Sequence, residues 1–171
     1  MCTLPERQGR KLAPKLQKLI AQGVIEENGC WILGAKRGRA TDGMIQMYQD
    51  RTGCEMQLND FYLGGYLNKK HRDDFAALQE QGLLLVKALA DILEPHGVFR
   101  IMLGLSQCLD PDNPVMTGKV RFHKVRPKDL PWGDDAALDK EQSSAILVFI
   151  TDKKPNAGFV SESSWPEFPL P

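Results

Sequence analysis

The residues best equipped for chemistry are cations, and they fall into three groups. Lys36, Arg37 and Arg39 surround Gly38 in the polar stretch GAKRGRATDG. Three cations on a glycine-containing loop suit successive phosphates, because neutralising phosphates releases condensed counterions. Arg10, Lys11, Lys15 and Lys18 lie around the apolar stripe Leu12, Leu16, Leu19 and Ile20 of a helix expected from Gly9 to Gln22. They would add electrostatic contacts to the same partner. Arg100, Lys119, Arg121 and His123 alternate with apolar residues in VFRIML and GKVRFH. If these two segments pair as strands, the four share one face, able to hold an anion or an acidic partner. His123 is the member whose charge responds to pH near neutrality.

Other chemistries have thinner support. Cys108, with His123 or His96 as base, would make a thiol nucleophile in a small hydrolase or transferase pocket near Arg100, Cys108, Arg121 and His123. There is no Gly-x-Ser-x-Gly elbow, since Gly104-Leu105-Ser106 runs on into Gln107-Cys108. No dinucleotide or phosphate-loop glycine motif occurs. Cys30, Cys54, His71, Cys108 and His123 lack the close-spaced pairs through which one turn supplies two metal ligands. Asp110, Asp112 and Asn113 sit in a turn without the later glycine and closing glutamate of a calcium loop. The residues therefore name no metal, no cofactor and no catalytic group.

Two stretches resemble nucleic-acid-binding families. KLQKLIAQGVIEENGCWIL is similar to the end of a winged-helix domain, a helix closing on Gly-Val-Ile followed by a wing hairpin. About ten residues precede that helix, too few for the other helices of a helix-turn-helix. GCWILGAKRGRATDGMI resembles the opening of some HNH-type homing endonucleases. The downstream sequence lacks that family's histidine-rich metal site, so no catalytic residues carry over.

The chain is 171 residues long, enough for one full core or one core with a small appended part. With 42% hydrophobic and 26% charged residues it is ordinary globular material. A formal net charge of +0 excludes a uniformly basic coat. Residues 1–72 hold 12 Lys/Arg against 7 Asp/Glu and the remainder 10 against 15, so the parts carry +5 and −5. Such halves attract each other, and the first half also suits an acidic partner. The charged N-terminus lacks the apolar core of a signal peptide, and AILVFI, the longest apolar run, is far short of a membrane span. Cys2, Cys30, Cys54 and Cys108 are scattered, which reads as reduced thiols and a cytoplasmic protein.

The elements that must position these groups centre on Asp73 to Gly97. Phe75, Leu78, Gly82, Leu85, Val86, Leu89, Ile92 and Leu93 recur at three- and four-residue steps, which predicts one long buried helix. It is capped by Asp73 or Asp74, and the residue before Pro95 is expected outside helical geometry. VIEENGCWIL predicts a hairpin turning at Asn28-Gly29. MIQMYQ and CEMQL alternate in polarity and predict a second hairpin across DRTG. VFRIMLGL and GKVRFHKV are strands with Phe99, Ile101, Leu103, Leu105, Val120 and Phe122 inward. AILVFIT, apolar throughout, is expected as an interior strand covered on both faces. SESSWPEFPLP reads as a tail whose Trp165, Phe168 and Leu170 suit an extended docking segment. The fold class is α+β: a mostly antiparallel sheet on a long central helix, with a small N-terminal helix-plus-hairpin part. Its parts are 1–72, 73–154 and the tail 155–171, the first two packed together. The expected function is non-catalytic binding of nucleic acid or an acidic protein surface. The alternatives are the small enzyme above and a homo-oligomeric structural or inhibitor protein using an exposed apolar edge.

Overall fold

A computed structural model of the chain describes residues 11–108, 115–127 and 144–151. Helix α4 spans Phe75–Leu93 and buries Leu78, Gly82, Leu85, Val86, Leu89 and Leu93. The Asp74 carboxylate accepts from the Ala76 amide at 3.0 Å and so caps the first turn. Glu94 keeps helical angles, contrary to expectation, because the chain tightens into a 3-10 turn, Glu94–His96, with Pro95 at its start. A proline there loses only an amide that a first turn leaves unbonded anyway. Gly97, at φ 129°, then turns the chain into strand β4, Phe99–Cys108.

β4 is central in a four-stranded antiparallel sheet of order β3-β5-β4-β6, where β3 is Phe61–Tyr62, β5 Val115–Lys124 and β6 Ser144–Ile150. β4 pairs with β5 from Phe99↔Lys124 to Cys108↔Val115 and with β6 from Arg100↔Ile150 to Ser106↔Ser144. Alternation then places Phe99, Ile101, Leu103, Leu105, Val120 and Phe122 on the side covered by α4, where all are buried. Gly82 permits the close approach, because a Cβ there would lie 2.6 Å from a Leu103 methyl. Helix α1, Pro14–Ile20, contributes Leu16 and Leu19 to this core.

The N-terminal part holds a second, smaller core. Strands β1, Val24–Glu27, and β2, Cys30–Leu33, form the hairpin over Asn28-Gly29, both at positive φ as a two-residue hairpin turn requires. The next segment is not a hairpin. It forms helices α2, Asp42–Met47, and α3, Arg51–Leu58. Thr41 caps α2 by accepting from the Met44 amide, and Asp50 caps α3 by accepting from the Gly53 amide at 2.6 Å. Cys54 and Leu58 satisfy a two-residue alternation and a helical four-residue step equally well, so only the caps discriminated. β2 is buried on both faces: Trp31 and Leu33 join the main core, and Cys30 and Ile32 join Ala40, Cys54 and Leu58.

β6 is the other departure. Among the described strands AILVFI lies at the edge of the sheet, next to β4 alone, and Ile150 is 63% exposed. Ala145, Ile146, Leu147, Val148 and Phe149 are half-buried, and no described strand flanks the far side of β6. No helix among the described residues is long and apolar enough to cross a membrane.

Candidate functional site

Hydrogen-bond alternation shows what each sheet edge offers. The Thr151 amide donates to the Phe99 carbonyl at 2.9 Å, and the Phe99 amide donates to Thr151 Oγ1 at 2.8 Å. Positions 99 and 151 are therefore a hydrogen-bonded pair, and along an antiparallel ladder every second residue repeats that orientation. The main-chain groups of Ala145, Leu147 and Phe149 accordingly face β4, while those of Ile146, Val148 and Ile150 face outward. Their side chains share the sheet face with Met102 and Arg100, and β6 carries no charge. Leu147 and Phe149 reach the α4 core but remain only partly buried. Thr151 Oγ1 also donates to the Gly97 carbonyl at 3.2 Å, which anchors the end of the strand.

The β5 edge is treated differently. Beyond its two pairs with β3, the outward groups of Phe122 and Lys124 meet side chains of α3. Fully buried Glu55 accepts from the Lys124 amide at 2.7 Å and from the Trp31 amide on β2 at 2.6 Å. Arg126 completes the shell, with guanidinium nitrogens 2.5 and 3.0 Å from the two carboxylate oxygens. Burial pushes the Glu55 carboxyl up from the usual range, and Arg126 with the two amides pulls it back. One helical turn on, buried Asn59 donates to the Trp31 and Phe122 carbonyls at 2.9 and 3.2 Å and accepts from the Leu33 amide. Two side chains thus join β2 to β5 where no strand ladder does.

The cation groups are placed as follows. Arg37 and Arg39 are exposed and Lys36 half-buried, on a loop folded around Glu27, whose carboxylate accepts from the Gly38 and Ala40 amides at 2.9 and 3.2 Å. Lys11, Lys15 and Lys18 are exposed, and Arg10 lies outside the described residues. Lys11 and Lys15 sit at the start of α1, beside Gln81 and Gly65, and the loop follows the end of α1, where the Gly34 amide bonds the Gly23 carbonyl. These cations therefore spread over both ends of α1, on the order of 10 Å apart.

Arg100, Lys119, Arg121 and His123 do share the outer sheet face, with Arg100 directly opposite His123. Arg121 and Lys119 are 2.9 and 3.8 Å from Asp60, and His123 is 7% exposed. Cys108 pairs with Val115, eight residues along β4 from Arg100, which is about 26 Å of strand. The register therefore keeps Cys108 away from the other three. The calcium-like turn at 110–113 and the tail lie outside the described residues, and among the described residues no cluster of three metal-ligating side chains occurs.

Two further features escaped sequence reading. Cys30 and Cys54 are buried free thiols that hydrogen-bond each other between β2 and α3. Burial, with Cys54 and Glu55 adding, pushes the Cys30 thiol up to about 12, so neither is an activated nucleophile. A half-open groove of about 500 Å³ lies between α1 and α4, lined in part by Lys15, Tyr66, His71 and Glu80.

Residues 3–164 match the family described as Uncharacterized protein PM0498 family. The chain belongs to that family. No curated protein and no solved structure matches it.

Proposed function

We propose that this chain works by association, accepting a β-strand from another polypeptide along β6. One observation carries the reading. β6 is an uncharged edge strand whose outward main-chain groups at Ile146, Val148 and Ile150 face no described strand. Such edges in natural proteins are usually shortened, charged, bulged or broken by proline, because they template pairing. β6 uses none of these devices over seven paired residues. Its backbone gives affinity and its apolar side chains give specificity, as in other strand-addition interfaces.

Amide hydrogen exchange tests this with a synthetic peptide of the β6 sequence, flanked by lysines for solubility. Added peptide should slow exchange at Ile146, Val148 and Ile150 and leave Leu147 and Phe149, already bonded to β4, unchanged. If the Ile146, Val148 and Ile150 amides exchange as freely as solvent-exposed amides both without and with peptide, β6 is removed from the working surface.

A second reading rests on a separate observation. Arg37 and Arg39 are exposed, and no carboxylate pairs with them among the described residues. They would bind a polyanion such as nucleic acid, with Lys36 as a partner. Neutralising the three should then weaken binding to a nucleic-acid duplex and flatten its salt dependence. An unchanged salt slope counts against it.

A further inference from the structure

We infer that the strand accepted by β6 is β6 of a second copy, added antiparallel about a two-fold axis through Val148. The inference rests on the strand-accepting reading above and names its partner. Antiparallel pairing of identical edges is self-complementary, since each outward amide meets the carbonyl of its own counterpart. With the axis at Val148, that residue pairs with Val148 of the partner subunit. Ile146 pairs with Ile150 of the partner subunit, and Ile150 with the partner's Ile146. All three are outward-facing positions, so these are the closely bonded pairs of the ladder. A register shifted by one residue would oppose outward groups to groups already bonded to β4.

Charge favours a like partner over an acidic one. β6 carries no charge, so two copies meet no repulsion at the seam. The nearest outer-face cation, Arg100, lies one strand in, and Arg121 and His123 lie two strands in. At about 4.8 Å per strand, the two Arg100 rows would stand roughly 14 Å apart, beyond the screening length of about 8 Å at physiological salt. An acidic strand on β6 would face Ile146, Val148 and Ile150 before reaching any cation. Both faces of the seam gain apolar cover. Ile150 is 63% exposed on the outer face, and Leu147 and Phe149 are only partly covered on the helix side.

The test is a charge swap at the axis, read by sedimentation of the full chain at micromolar concentration. The unsubstituted protein should sediment as a dimer. Val148→Lys and Val148→Glu each place like charges opposite one another and should each sediment as monomers, with a dissociation constant raised at least tenfold. Mixed in equal amounts, they should form a heterodimer. Retained self-association in either variant, or a mixture that stays monomeric, overturns the two-fold pairing. Val148→Pro, which removes one outward amide and no bond to β4, should also give a monomer with an unchanged circular dichroism spectrum. A monomeric unsubstituted chain whose β6 amides are still protected by the peptide would sink the second-copy inference and leave strand addition standing. Absence of both effects would sink the two together.

Discussion

At β5 and β2, main-chain groups left over by the ladders are met by buried side chains from a capped helix; at β6 the same kinds of groups point outward. The first edge costs the fold a desolvated carboxylate, held by four hydrogen bonds from Trp31, Lys124 and Arg126. The second carries no charged side chain and no counter-charge. Pairing needs differ accordingly. A buried edge must be satisfied within the chain, whereas an exposed one can be satisfied by water or by another strand. On the strand-adding proposal, closing one edge while keeping seven uncharged residues along the other would direct association to a single side of the sheet.

Breaking the closed edge should give the largest effect. Glu55→Ala leaves the Arg126 guanidinium without its carboxylate and two main-chain amides without an acceptor, so it should cost about 3–5 kcal/mol in urea unfolding. A loss below about 1 kcal/mol would mean that water replaces Glu55 and that the closed edge is not dry.

Next in size is a contrast between neighbours on the open edge. Leu147→Pro removes a bond to β4 and should cost about 3 kcal/mol, whereas Val148→Pro faces outward and should cost under about 1 kcal/mol in the monomer. Equal losses would show that the outward groups are engaged within the chain. Asn59→Ala, which frees the Trp31 and Phe122 carbonyls, should cost about 1–3 kcal/mol in the same unfolding measurement.

The thiols behind the closed edge come next, through their pH dependence. With the folded Cys30 value at about 12 and the ordinary value at 9.0, the native state holds the proton more tightly between them. Its contribution to stability is therefore complete below pH 9 and is lost as pH rises toward 12. Peptide-mapped alkylation at neutral pH should label Cys30 and Cys54 only after unfolding. Rapid labelling of the native chain would show that α3 opens from β2. Smallest is Asp60→Asn, which weakens half-exposed pairs with Arg121 and Lys119 and should change stability by about 1 kcal/mol in urea.

The amino-acid sequence determined the long helix, the β1–β2 turn and the inward faces of β4 and β5, because each rests on a local period or a turn residue. Helical spacing from Phe75 to Leu93 needs no distant partner to be recognised, and Asn28-Gly29 states its own geometry. The identity of α3 was less legible. Asp50 and Thr41 were the available cap signals, while Cys54, Met56 and Leu58 also fitted a strand. The partners of Glu55 were not legible at all. They lie on β2 and beyond β5, up to 71 residues away in sequence, and only tertiary packing brings them together. The same holds for β6. AILVFI is equally apolar in the middle of a sheet or at its margin, since composition reports burial preference and not neighbour count. Strand order decided that this segment has one neighbour among the described strands, and hydrogen-bond parity decided which of its residues face away from that neighbour.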